Sequence, residues 1–97
     1  MFQDFFLGFV KIHILYHASK APIYGVEILE ELARHGYRLS PGTLYPTLHA
    51  LLKERDVTVS NETVKGKVRK CYRATAKGRK ELSEVTERLS VLMRRIF

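Results

Sequence analysis

The chain has 97 residues, enough to bury somewhat over ~60% of the surface it exposes unfolded, so neither a second core nor a separate ligand domain fits. Lys and Arg number 17 against 10 Asp and Glu, a formal charge of +7 at pH 7, which points to a polyanionic partner, nucleic acid or an anionic membrane. No apolar run approaches the ~18–20 residues a spanning helix needs, no export signal is visible, and the lone Cys71 cannot form an internal disulfide and fits a reducing compartment. The expectation is one cytoplasmic domain over residues 1–97 with no cofactor.

Residues 2–18 read as a helix with Phe2, Phe5, Phe6 and Phe9 on one stripe and Leu7, Val10 and Ile14 on another. A helix apolar on two sides must be covered on two sides. The second and third helices can cover one, and a partner subunit the other; the alternative is a single broad buried face. His13 and His17 are spaced to place two imidazoles on one metal ion, but no acidic residue lies between them and no third ligand is apparent, so no metal site is expected.

Ser19-Lys20-Ala21-Pro22 is the first break, since the residue before a proline is pushed out of helical geometry. Tyr24 to His35 follows as a second helix, with Ile28, Leu29 and Leu32 on its core face and Glu27, Glu30, Glu31 and Arg34 outside. Its N-terminus, with unpaired amides and the positive dipole end, can hold a backbone phosphate. Gly36 supplies the left-handed stop, and Gly36-Tyr37-Arg38-Leu39 is the turn.

Residues 40–53 read as the recognition helix of a winged helix-turn-helix. Ser40 is placed to cap it through its hydroxyl, and Pro41 suits the first helical position. Leu44, Leu48, Leu51 and Leu52 repeat at helical spacing and face the core, leaving Ser40, Thr43, Thr47, His49 and Lys53 outward. Pro46 removes the bond to the Gly42 carbonyl and loosens the first turn. The alternative is an ordinary amphipathic helix with a solvated polar face.

Val57-Thr58-Val59 alternates as a strand and Val68 to Ala74 returns, joined by a tip over Asn61 to Gly66 that is longer than a two-residue turn. Lys65, Lys67, Arg69, Lys70, Arg73, Lys77, Arg79 and Lys80 follow one another with no acidic residue between Glu62 and Glu81. Such a run repels itself unless a polyanion such as a phosphate backbone neutralises it. Arg69 and Lys70 point to opposite faces of a strand, so only one of them reaches that partner directly, and Lys67 beside Gly66 is the probe at the tip. The cations sit on a hairpin and not along one helix face, which argues against a membrane.

Thr75 caps a last helix, about residues 76–97, whose Leu82, Val85, Leu89, Leu92 and Ile96 follow a heptad. That seam, with the phenylalanine stripe of the first helix, is the expected homodimer interface; the alternative is a helix folded back on its own domain.

The run Ser40-Pro41-Gly42-Thr43-Leu44-Tyr45-Pro46-Thr47-Leu48, with Pro22-Ile23-Tyr24-Gly25 before it and Gly66 to Gly78 after it, resembles the PadR family of transcriptional regulators over about residues 5–85. The departures are Asp56, where that family usually has a glycine ahead of the first wing strand, Cys71 and Ala74. The resemblance implies a mainly α fold with a small β-hairpin, a winged helix-turn-helix plus a C-terminal dimerisation helix. It implies a sequence-specific regulator of double-stranded DNA, a repressor, acting as a homodimer on an inverted-repeat operator. Tyr24 is carried over as a phosphate contact, with a core aromatic as the alternative. Thr43, Tyr45, Thr47 and His49 are candidates for base or backbone contacts in the major groove, with Ser40 and Lys53 on the same side and Lys65, Lys67, Arg69 and Lys70 on the wing.

A second reading is a sensor that holds a small hydrophobic effector at the dimer interface against Phe2, Phe5, Phe6 and Phe9, although the chain has no Trp to sandwich a planar molecule. An enzyme is the poorest fit, because His13, His17, His35 and His49 stand in no motif with a nucleophile or carboxylate. Cys71 beside Lys70 and Arg73 would have a lowered thiol pKa if exposed, which is the basis for a redox switch; the alternative is an inert strand residue.

Overall fold

The computed structural model of the chain describes residues 2–97, with side chains from Asp4 onward, so the expected interface residue Phe2 has its side chain outside the described residues. The elements are α1 (Phe2–Lys20), β1 (Ile23–Tyr24), α2 (Gly25–Arg34), α3 (Pro41–Lys53), β2 (Val57–Val64), β3 (Lys67–Ala74) and α4 (Ala76–Ile96). The strands form one antiparallel sheet in the order β1-β3-β2.

The core is built where the apolar periodicities converge. Val10, Ile14, Leu15 and Ala18 of α1 meet Ile28 and Leu32 of α2, Leu44, Leu48 and Leu51 of α3, and Val57, Tyr72 and Ala74 of the sheet. One stripe of α1 is therefore central. The phenylalanine stripe is not: Phe5 is 59% exposed and stacks edge-on against Phe9, and Phe6 leans on Tyr37.

Helices α2 and α3 end in the same way. After α2, Tyr37 N–H donates to the Leu32 carbonyl (2.9 Å) and Gly36 N–H to Ala33 (3.1 Å), with Gly36 at φ 89°. After α3, Asp56 N–H donates to Leu51 (2.9 Å) and Arg55 N–H to Leu52 (3.0 Å), with Arg55 at φ 61°. Both are Schellman stops, in which the residue after the cap takes the left-handed conformation. The left-handed residue ahead of the wing is thus Arg55 and not Asp56, whose side chain turns inward and is buried.

The wing is shorter-tipped than its sequence implies. β2 and β3 pair continuously from Val57↔Ala74 to Val64↔Lys67, and Lys65 (φ 51°) with Gly66 (φ 79°) makes a two-residue turn of type I′ instead of a loop over Asn61 to Gly66. The primed turn matches the right-handed twist of the strands, at the cost of placing a lysine where glycine or asparagine is favoured. β1, unforeseen, lies on the other side of β3 through Ile23↔Tyr72 and Tyr24↔Cys71, which turns the hairpin into a three-stranded sheet.

Candidate nucleic-acid interface

Helix α3 runs unbroken through Pro46, so the proline does not end or divide it. Ser40 occupies the N-cap position with extended backbone (φ −81°, ψ 159°), but its hydroxyl does not cap an amide; it lies 3.4 Å from the Thr43 hydroxyl, and the Ser40 carbonyl accepts the Thr43 and Leu44 amides instead. The Ser40 side chain is therefore left on the surface. Thr43 is half-buried.

Thr47 departs from its expected outward position. It is 7% exposed, and its hydroxyl donates to the Thr43 carbonyl (2.8 Å), because position 47 lies on the edge of the face set by Leu44, Leu48 and Leu51. Tyr45, His49 and Lys53, one turn apart from each other, are exposed and form the outward row of the helix. Tyr45 lies across the start of α2, where a Cβ on Gly25 would come within 2.6 Å of its hydroxyl oxygen. A glycine at that point lets the recognition helix and α2 approach closely.

The sheet brings the wing beside that row. Lys70 shares a shallow hollow with Tyr45, His49, Leu52, Val59 and Tyr72, and Arg69 and Lys70 together border a second one with Tyr24, Val26 and Tyr45. By strand alternation Lys70 falls on the α3 side with Tyr72, and Lys67 and Arg69 fall on the opposite face. Lys65, Lys67, Arg69, Lys70, Arg79 and Lys80 make no ion pair among the described residues. Apart from Glu62, which lies across the ladder from Arg69, no acidic residue stands opposite the wing cations on the strands.

Two cations of the expected run are committed internally. Arg73 pairs with Glu62 (2.6 Å) and donates to the Ser60 hydroxyl (3.1 Å); the hydrogen bond between them holds the Glu62 carboxyl below its ordinary range and raises the guanidinium. Lys77 is taken by Asp56 (3.1 Å) and Glu81 (2.7 Å). The Tyr24 hydroxyl also turns to Glu62, donating to its Oε2 at 3.2 Å, so a phosphate would have to compete with a carboxylate already in place. Burial and that bond push the Tyr24 phenol above its usual pKa. The Cys71 thiol is buried, without the exposure a redox switch needs.

An exposed polar row on the second helix of a helix-turn-helix, flanked by a basic two-stranded wing, is the layout of a groove-reading module. The sequence profile described as the transcriptional regulator PadR-like family matches residues 14–84. The chain belongs to the PadR family. It is 43% identical over 95 residues to the transcriptional regulator Rv3488 of Mycobacterium tuberculosis, covering 98% of this chain and 89% of that protein. Among solved structures it is similar to a PadR-like transcriptional regulator from Bacillus cereus (TM-score 0.85, 30% identity, 92% of this chain and 88% of the other). It is also similar to a PadR family transcriptional regulator from Eggerthella lenta (TM-score 0.83, 28% identity, 99% of this chain and 85% of the other). The fold is a winged helix, and the protein is a transcriptional regulator of a DNA-binding family, not an enzyme. No helix among the described residues is long and apolar enough to cross a membrane.

In this PadR protein the expected interface residues divide. Leu82 packs against its own core, which removes it from a free seam; the near end of α4 does fold back on the domain. Leu89 is half-buried, whereas Val85, Leu92 and Ile96 are exposed along with Phe5 and Phe6. Phe9 is half-buried against Phe5.

One group of residues the PadR chain carries was not visible as a group in its sequence. Beside His13 and His17 the fold brings two side chains from the second helix and its C-cap: Glu31 and His35 pack opposite His17, and one N or O atom from each of His17, Glu31 and His35 lies within 4.8 Å of the others. The signal was the second i,i+4 pair, Glu31 and His35, but it gains meaning only once α1 and α2 are crossed.

Proposed function

We propose that the protein is a repressor that binds an inverted-repeat operator as a homodimer, with residues 1–97 acting as one DNA-binding unit. The observation that carries this reading is the outward row Tyr45, His49 and Lys53 on α3, set beside Lys70 of the wing, whose further cations Lys65, Lys67 and Arg69 make no ion pair among the described residues. Tyr45 and His49, with Ser40 and Thr43 at the helix start, contact bases or sugar-phosphate in the major groove. Lys67 at the turn, together with Lys65, neutralises backbone phosphate, and of the pair Arg69 and Lys70 it is Lys70, on the α3 side, that does so directly. Tyr24 and Thr47 serve the scaffold.

The dimer is formed by the exposed apolar residues of α1 and α4, chiefly Phe5, Phe6, Val85, Leu92 and Ile96. Two-fold symmetry then presents two recognition helices ~34 Å apart along the duplex, one helical turn. Repression follows from occupying a promoter, and work on the chromosome supports a cytoplasmic location. Selection of bound duplexes from a random pool tests site, spacing and symmetry together, and an enriched set lacking dyad symmetry would remove the dimeric reading.

The wing has its own test. Lys67→Ala is expected to weaken binding to all duplexes alike and lower the salt slope by about one unit, because one phosphate contact and its counterion release are lost. Relaxed preference at a single base pair with an unchanged slope would instead make Lys67 a base reader. The exposure of Phe5 and Phe6 also favours a second reading, a small hydrophobic effector at the same interface. A dye-displacement titration that finds no ligand able to release the protein from DNA would dismiss it.

A further inference from the structure

Where α1 crosses α2, two pairs of polar side chains meet, each pair one turn apart: His13 and His17 from α1, and Glu31 of α2 with His35 at its C-cap. The rings gather closely, with centroids 5.6 Å apart for His13 and His35 and 6.1 Å for His17 and His35. The Glu31 carboxylate sits between two of them, its Oε1 3.9 Å from His17 Nε2 and 3.8 Å from His35 Nδ1. Those separations are too long for hydrogen bonds. They are close to the spacing of donor atoms that share one cation.

We propose that His17, Glu31 and His35 form a binding site for a divalent transition-metal ion of the zinc class, one that ties α1 to the first helix of the helix-turn-helix. Two imidazole nitrogens and one carboxylate oxygen are a ligand set that zinc and its borderline neighbours favour, whereas magnesium and calcium take oxygen ligands. Bonds of about 2.0–2.2 Å in a tetrahedral site put ligand atoms roughly 3.4 Å apart. The three donors, all within 4.8 Å of one another, need to close by at most about 1.4 Å, within the reach of side-chain rotation at partly exposed positions.

The surroundings hold the donors in place. Arg34 engages Glu31 Oε2, which leaves Oε1 turned toward the two histidines, the outer-shell arrangement that orients a ligating carboxylate. His35 Nδ1 rests 2.9 Å from the Glu31 carbonyl oxygen, a contact it makes as a donor and gives up when that nitrogen binds the ion. His13, 4.9 Å from the Tyr37 ring, closes one side of the cluster, and the fourth position is left to water or to the His13 imidazole. The site is independent of DNA contact, so it stands or falls apart from the operator reading.

The test uses the full chain without a histidine tag and Zn(II) alone, titrated calorimetrically and by competition with a coloured chelator. One ion per chain is expected. His17→Ala and Glu31→Gln should each weaken binding more than tenfold, and Cys71→Ser, which removes the only thiol, should leave it unchanged. Glu31→Gln keeps the shape of the side chain, and far-UV circular dichroism confirms that the variants fold. Zn(II) should also raise the melting temperature of the wild type, reversibly with a chelator, and not that of Glu31→Gln. A wild-type chain that takes up no stoichiometric ion, or one whose uptake survives in the His17→Ala, His35→Ala double variant, would overturn the site.

Discussion

The first turn and the last turns of α4 belong to one continuous helix, yet their own domain grips the first and leaves the residues beyond Leu89 exposed. At the root, Gly78 N–H donates to the Thr75 hydroxyl oxygen (2.9 Å), that hydroxyl donates to the Arg55 carbonyl (2.7 Å), and Lys77 donates to the Glu54 carbonyl (2.8 Å). Further along, Leu92 is 48% exposed, Ile96 62% and Phe97 92%. The root behaves as part of a finished core. The far end carries apolar side chains exposed among the described residues, and exposed apolar surface of that kind, where it is contiguous, marks an interaction site.

The sharpest way to probe the root is Gly78→Ala. A Cβ there would run into the Asp56 carbonyl, a backbone group that cannot swing aside, so the helix start or the α3–β2 connection must move. The expected loss is about 3 kcal/mol of stability by urea unfolding. Ser90→Ala, on the exposed part of the same helix, should change stability by only a few tenths of a kcal/mol, since its hydroxyl accepts a long bond (3.4 Å) from the solvent-exposed Arg94 and alanine is the better helix former. Equal losses at both positions would erase the contrast between the two ends.

Leu92→Lys reverses the emphasis. The substitution puts a charge on the exposed seam and should leave the far-UV spectrum unchanged while shifting the sedimenting species to single-chain mass. Loss of simultaneous engagement of two half-sites should lower operator affinity by about 100-fold. If the wild type already sediments as one chain at working concentration, the seam has another purpose.

How legible these two ends were differs for physical reasons. The heptad of Leu82, Val85, Leu89, Leu92 and Ile96 is a local pattern and could be read directly, but which of its members stay free depends on where α1 lies, and Leu82 went to the core. Helix α3 was legible from Ser40-Pro41 to Lys53, because its start signal and leucine spacing are local. Thr47 was misplaced because the buried arc is wider than the leucines alone mark out. β1 has two residues, too few to show any alternation. The wing turn was missed because Lys65 adopts a left-handed backbone that only Gly66 advertises. The His17, Glu31 and His35 group needed a helix crossing that no spacing within one helix encodes.

At the root, Thr75→Ala should cost about 1 kcal/mol, the usual worth of an N-cap hydroxyl, since it removes the acceptor for the Gly78 amide. The same measurement at Thr86, whose hydroxyl only donates to the Ser83 carbonyl on the exposed face, should register far less.

Lys77→Met should cost less than Thr75→Ala, and its pH dependence is what makes it informative. Lys77 is half exposed, so water screens its attraction to the buried Asp56 carboxylate. Burial, then the neighbouring Glu81, holds Asp56 above its ordinary pKa, with Lys77 pulling the other way. Removing the ammonium leaves Asp56 with burial and Glu81 alone, so its folded-state pKa rises further above the unfolded value. A group shifted in that direction favours the folded state below its unfolded pKa and loses that contribution as pH rises through the folded one. The deficit of Lys77→Met against wild type should therefore be greatest near neutrality and shrink on acidification as Asp56 takes a proton. A deficit that stayed constant from neutral pH down through the carboxylate range would mean that the Lys77 stem, packed along the root, matters and its charge does not.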